Sequence, residues 1–140
     1  MSVTLAEPRI QRFLGTKEVI VLATIQRDGA PLAMPMWFLP DAESLVMISV
    51  TDTQKVRNLR RDGRVCVVAE SVSANGAICG VTVQGRAEFL PDDPERRALA
   101  VRFLTKYDPR LERLWGGREM PANRVMFRIV PTVVHDWGLA

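Results

Sequence analysis

Histidine is almost missing from this chain: the 140 residues hold one, His135, near the C-terminal end. A single imidazole leaves no histidine-centred triad to assemble, and no serine sits in the Gly-x-Ser-x-Gly setting of a nucleophile turn. Cysteine is as scarce. Cys66 and Cys79 lie in separate apolar runs with no Cys-x-x-Cys spacing, so a metal site is not expected, and two reduced core thiols of a cytoplasmic protein are. No basic segment followed by a long apolar one opens the sequence, and no run of about 18 apolar residues occurs, so neither secretion nor a membrane span is expected. Aromatics make up 6% of the residues and do not alternate with the basic ones, which argues against a nucleic-acid partner.

What is abundant is arginine. Lys17, Lys55 and Lys106 are the only lysines beside 16 arginines, and the formal net charge is +3. The planar guanidinium fork favours phosphates and carboxylates, so an anionic cofactor or substrate is expected. With 47% hydrophobic and 25% charged residues, the chain reads as one globular domain over residues 1–140. A chain this short has little interior to give up to an active cleft, so a homodimer sharing its site across the interface is the better solution.

The run Glu7 to Gly15 reads as a short helix, with Pro8 near its start and glycine at its end. Val19 to Gln26 is an apolar, β-branched strand, and Arg27-Asp28-Gly29 turns it into a second strand, Pro31 to Leu39. Ser44 to Val50 completes a meander. Arg64 to Glu70 and Ile78 to Leu90 follow as strands, the latter with Gly80 and Gly85 inside it, where glycine marks a bulge or a close backbone approach. Asp92-Asp93-Pro94-Glu95 starts a helix whose apolar face is Ala98, Val101, Phe103 and Leu104. The end reads as two short strands, Val125 to Val130 and Val133 to Gly138, kinked at Pro131. Helices inserted among antiparallel strands, rather than alternating with them, predict a mainly β fold: a small barrel with peripheral helices.

The most informative stretch is Thr53-Gln54-Lys55-Val56-Arg57-Asn58-Leu59-Arg60-Arg61, directly after the apolar run Leu45 to Val50. A strand ends in hydroxylated residues, Ser49, Thr51 and Thr53, and opens a basic helix. Hydroxyls, backbone N–H groups and the Lys55 ammonium can there converge on one anion. Basic runs are commonly solvated helix faces, and periodicity separates the two roles. Val56 and Leu59 anchor the helix, Lys55 and Arg57 flank its start where an anion belongs, and Arg60 and Arg61 face solvent. The carboxylate pairs Asp41/Glu43 and Asp92/Asp93 are explained by turns and a cap, which leaves no obvious catalytic acid or base; such a chain is an enzyme only if a cofactor carries the reaction.

Three ordered motifs now carry a resemblance: Ala23-Thr24-Ile25-Gln26-Arg27-Asp28-Gly29-Ala30-Pro31 with Met36-Trp37-Phe38; Ser49 to Val65 through Lys55; and Val83 to Glu88 with Ile129 to Gly138. Over residues 18 to 138 the chain resembles the pyridoxamine 5'-phosphate oxidase-like split β-barrel superfamily, and within it the F420- and FMN-dependent oxidoreductases. The resemblance implies an antiparallel split barrel that works as a homodimer. It implies that Lys55, Ser49 and Thr51 contact the cofactor phosphate, that Met34, Pro35, Met36, Trp37 and Phe38 lie along the tricyclic ring, and that the strand with Gly80 contributes from the partner subunit. Met34 stands where pyridoxamine phosphate oxidases have a basic side chain, and Gln54 where they have arginine, which points away from pyridoxamine phosphate as the substrate. The implied activity is hydride transfer from F420, or alternatively FMN, to a small organic substrate. Two other readings stay open: a flavin- or F420-binding protein without turnover, and a haem-binding barrel with His135 as ligand. Trp115 to Arg118, in a glycine-rich segment, is a candidate lid.

Overall fold

The computed structural model describes residues 3–139. Six strands close an antiparallel barrel: β1 (Val19–Ile25), β2 (Pro31–Pro40), β3 (Leu45–Val50), β4 (Arg64–Val72), β5 (Ile78–Phe89) and β6 (Arg124–Trp137), in the order β1-β2-β3-β6-β5-β4. Four helices sit outside it: α1 (Pro8–Gly15), α2 (Gln54–Arg61) between β3 and β4, and α3 (Pro94–Tyr107) and α4 (Arg110–Trp115) between β5 and β6. The mainly β split barrel of the sequence reading is the observed architecture.

Alternation fills the barrel. β1 points Ile20 and Leu22 inward, and these meet Met36, Phe38, Met47, Val67, Val83 and Phe127 from the other strands. β3 is different: Leu45, Val46 and Met47 are all buried. Its inner face belongs to the barrel, while its outer face at Val46, with Leu39 and Met126, is covered by Leu99, Phe103, Leu104 and Tyr107 of α3 and Leu111 of α4. A strand covered on both faces reads as a continuous apolar run, which is why Leu45 to Val50 has no period-2 pattern.

Two expectations change. The C-terminal segment is one strand, not two, because the barrel absorbs Pro131 in a bulge. Gln84 pairs with Val133 and Gly85 with Pro131, so Thr132 is left over, and its hydroxyl donates to the Gln84 carbonyl at 3.1 Å. Gly85 permits this: a Cβ there would lie 2.2 Å from the Val130 carbonyl oxygen. The glycine expected to mark a bulge does so. On α3, Ala98 and Val101 face outward, and the buried stripe is Leu99, Ala100, Phe103, Leu104 and Tyr107. The helix starts as read, with the Asp93 carboxylate accepting from the Arg96 N–H at 2.9 Å.

The end of α3 is latched to the barrel by polar groups. The fully buried Tyr107 hydroxyl accepts from the Phe38 N–H at 2.9 Å, and its proton is shared between the carbonyls of Glu18 at 2.7 Å and Phe38 at 3.0 Å. Lys106 Nζ donates to the Phe38 carbonyl at 2.7 Å and lies 3.8 Å from the centre of the Phe38 ring. Burial pushes the Lys106 amine down to about 8 against an opposing pull from Glu18, and raises the Tyr107 phenol to about 12. Above pH 8 the unfolded chain therefore holds a proton on Lys106 that the folded one releases. Stability should rise with pH between 8 and about 10, where tyrosine ionisation begins. Urea midpoints at pH 8, 9 and 10 check this, and Lys106→Met should flatten the rise.

Candidate functional site

β2 and β3 pair only over Phe38–Pro40 against Leu45–Met47. Beyond that the two strands part, although β2 stays paired to β1 and β3 to β6. The split opens a groove of about 410 Å³ with Pro35, Met36 and Trp37 of β2 on one side and Ile48, Ser49 and Val50 of β3 on the other. Main-chain groups of β2 that would have bonded to β3 face this opening, which makes it a natural seat for a planar ligand.

Lys55, in the first turn of α2, and Arg124, at the start of β6, stand at the same groove. Lys55 has no ion-pair partner among the described residues, and burial lowers its pKa below the usual lysine range. Arg124 is register partner to Val50, and among the described residues its only side-chain hydrogen bond is to the neighbouring Asn123 Oδ1, at 2.7 Å. The strand-to-helix connection is tied to the same corner, since the Thr51 N–H donates to the Asn123 carbonyl at 2.9 Å. Ser49 is buried there, its hydroxyl 3.4 Å from that of Thr53. Thr53 turns its own hydroxyl back to the Val50 carbonyl, so no side chain caps α2. Two unpaired cations beside an open helix start fit an anion such as a phosphate.

α2 is held in place as the sequence indicates, by buried Val56 and Leu59, and also by Asn58, which the apolar pattern missed. Fully buried Asn58 donates to the Thr24 hydroxyl at 3.0 Å and accepts from Gln54 Nε2 at 2.8 Å. Arg60 and Arg61 are exposed, Arg60 lying over the Phe89 ring at 4.1 Å.

The far wall of the groove is apolar: Phe103 of α3 and Leu111, Leu114 and Trp115 of α4. Leu114 is 66% exposed, an uncovered leucine facing a groove. Trp37 stacks on Tyr107 at 4.3 Å between ring centres, nearly parallel, with the Arg110 guanidinium 5.1 Å from its own ring. Its indole is thus fixed as part of this wall. Among the described residues, no carboxylate, histidine, cysteine or tyrosine lines the groove.

Of the ten residues singled out from sequence, Pro35, Met36, Trp37, Ser49 and Lys55 come together here. Met34 lies further along β2, exposed, and Phe38 is buried in the barrel core. Thr51 is exposed at the connection. Arg57 turns away, its guanidinium bonded to the Asp52 carbonyl at 3.2 Å and to Gln54 Oε1 at 3.1 Å. Gly80 packs elsewhere on the barrel, where a Cβ would lie 2.3 Å from the Ala69 carbonyl oxygen and 3.0 Å from the Trp137 ring. The segment read as a lid divides. Trp115 ends a helix closed by Gly116 at φ 73°, while Arg118 pairs with Glu112 at 3.2 Å beside a different cleft. His135 is exposed on a third cleft, of about 700 Å³, with Val133 and Leu5.

No curated protein matches this sequence. Among solved structures, the chain is similar to an F420 reductase, at 28% identity over 84% of this chain and 88% of that one, with a TM-score of 0.62. It is also similar to an FAD-binding protein from Mesorhizobium loti, at 26% identity over 96% and 93%, with a TM-score of 0.71. The haem storage protein HutZ from Vibrio cholerae, at 18% identity over 100% and 98% with a TM-score of 0.79, shares the fold. The family model described as pyridoxamine 5'-phosphate oxidase matches residues 6–138. By that match, which spans the whole barrel together with its helices, the chain belongs to the pyridoxamine 5'-phosphate oxidase family.

Proposed function

We propose that this protein is an oxidoreductase that uses F420, or alternatively FMN, to transfer hydride to a small organic substrate. The observation that carries the reading is the split between β2 and β3, a groove with the unpaired Lys55 ammonium in its lining. Lys55 and Ser49, with Thr51 at the connection, would hold the cofactor phosphate. Pro35, Met36 and Trp37, continuing into Met34 and Phe38, would run along the ring. The bound cofactor supplies the hydride. The chain orients it and keeps one side dry, and the wall of Phe103, Leu111, Leu114 and Trp115 gives a flat, conjugated substrate a surface to lie on. The 28% likeness to an F420 reductase supports the choice of F420.

A homodimer in the cytoplasm is part of the proposal. The outer faces of β1, β2 and β4 set Val21 beside Pro35 and Val68, and Ala23 beside Ala33 and Cys66, a small-residue apolar surface suited to a second copy. Gly80, on the neighbouring strand β5, would approach the partner's cofactor across it. Side-by-side titrations of F420 and FMN test the reading: micromolar binding of one of them is expected, and binding of neither removes it. A second reading is favoured by the groove itself, whose lining among the described residues holds no acid or base beyond Lys55: binding of the cofactor without turnover. Bound cofactor that stays unchanged before a panel of quinones, enones and nitro compounds would establish it. A haem reading would move the site to the cleft of His135, which contains neither Lys55 nor Arg124.

A further inference from the structure

We infer that Arg124 is the second cationic ligand of the anion held by Lys55, and that the anion is a phosphate ester. The inference rests on the proposed cofactor site and names a residue that sequence pattern does not reach. Arg124 lies 69 positions after Lys55, beyond two strands and two helices, and only the β3–β6 ladder brings it back to Val50. Along that ladder Ser49 faces Val125 and Val50 faces Arg124, so β6 begins at the point where β3 ends and the phosphate corner starts. The Thr51 to Asn123 bond fixes the two chain segments together.

Among the described residues, eight of the sixteen arginines form ion pairs. Arg9 pairs with Asp136, Arg64 with Asp62, Arg97 with Asp92 and Arg118 with Glu112, while Arg57 is turned to Asp52 and Gln54. Arg124 has no carboxylate partner among the described residues, is half-buried, and lines the groove with Lys55. Its fork can take two oxygens of one phosphate while the Lys55 ammonium adds a point charge beside it. The groove therefore sets a guanidinium where the basic helix offered Arg57.

A comparison of FMN with riboflavin reads this role, because the two ligands differ only in the phosphate. Arg124→Gln should raise the FMN Kd about tenfold or more and leave the riboflavin Kd within about twofold. Arg124→Lys should fall between wild type and Arg124→Gln. Arg113→Gln, which removes an exposed charge from α4, controls for net charge and should change neither Kd. An unchanged FMN Kd in Arg124→Gln overturns the inference, as does an equal loss for riboflavin or an equal loss in Arg113→Gln. If the wild type binds neither FMN nor F420, the proposed function fails, and inorganic pyrophosphate then decides the role of Arg124. A pyrophosphate-induced rise in Tm that Arg124→Gln abolishes supports it; a rise in both proteins, or in neither, overturns it.

Discussion

Replacing Tyr107 with alanine should remove about 3–5 kcal/mol of stability, the range for deleting a fully buried aromatic ring. Tyr107 has no exposed surface, stacks on Trp37 at 4.3 Å, and packs 6.2 Å from the Phe103 ring. Its hydroxyl adds a second, separable effect. Tyr107→Phe keeps the ring but strips the Phe38 N–H and the Glu18 carbonyl of their side-chain partner, and should cost about 1–3 kcal/mol. Chemical denaturation of both variants checks the order. A Tyr107→Phe protein as unstable as Tyr107→Ala would assign the latch wholly to hydrogen bonding, and one as stable as wild type would assign it wholly to packing. Because Tyr107 backs Trp37, the alanine variant should also loosen the groove wall, visible as a shift in tryptophan emission.

Lys55→Ala is expected to weaken F420 or FMN by about 1.5–3 kcal/mol, roughly 10- to 150-fold, the range of a charge-assisted hydrogen bond. Folding stability should change little, because Lys55 makes no hydrogen bond or ion pair within the described chain and its ammonium is held partly out of water. Titration of wild type and variant reads both quantities, and equal affinity in the two would remove Lys55 from the site. The same ammonium sets a pH dependence. Burial lowers its pKa, so with wild type the affinity should hold at neutral pH and fall as the pH rises through that lowered value. The Lys55→Ala protein should lack that fall.

Elements written in local chemistry were legible from the residues. The strand meander, the Asp93 cap of α3 and the basic helix with its Val56 and Leu59 anchors follow from patterns a few residues long. The α3 face was read one position off, with Ala98 and Val101 for Leu99 and Ala100, because a helix rich in both apolar and basic residues has a blurred stripe. Pro131 reads as a break along the sequence, which does not show that Gly85 lies across the ladder and accommodates it. Asn58 carried no hydrophobic signal, and its buried partner Thr24 lies 34 residues away.

Local pattern is enough to give the kind of protein: a barrel of antiparallel strands in which a hydroxyl-bearing strand end leads into a basic helix at Ser49 to Lys55, since strand period, turn residues and helix starts are local properties of the chain. Which groups meet at that corner was decided only by closure of the barrel. Pairing of β3 with β6 delivered Arg124, the parting of β2 from β3 opened the groove beside Pro35 to Trp37, and the packing of α3 and α4 on the outer face of β3 supplied its apolar wall. These are contacts between distant segments, and register and closure fix them, not the order of residues along the chain.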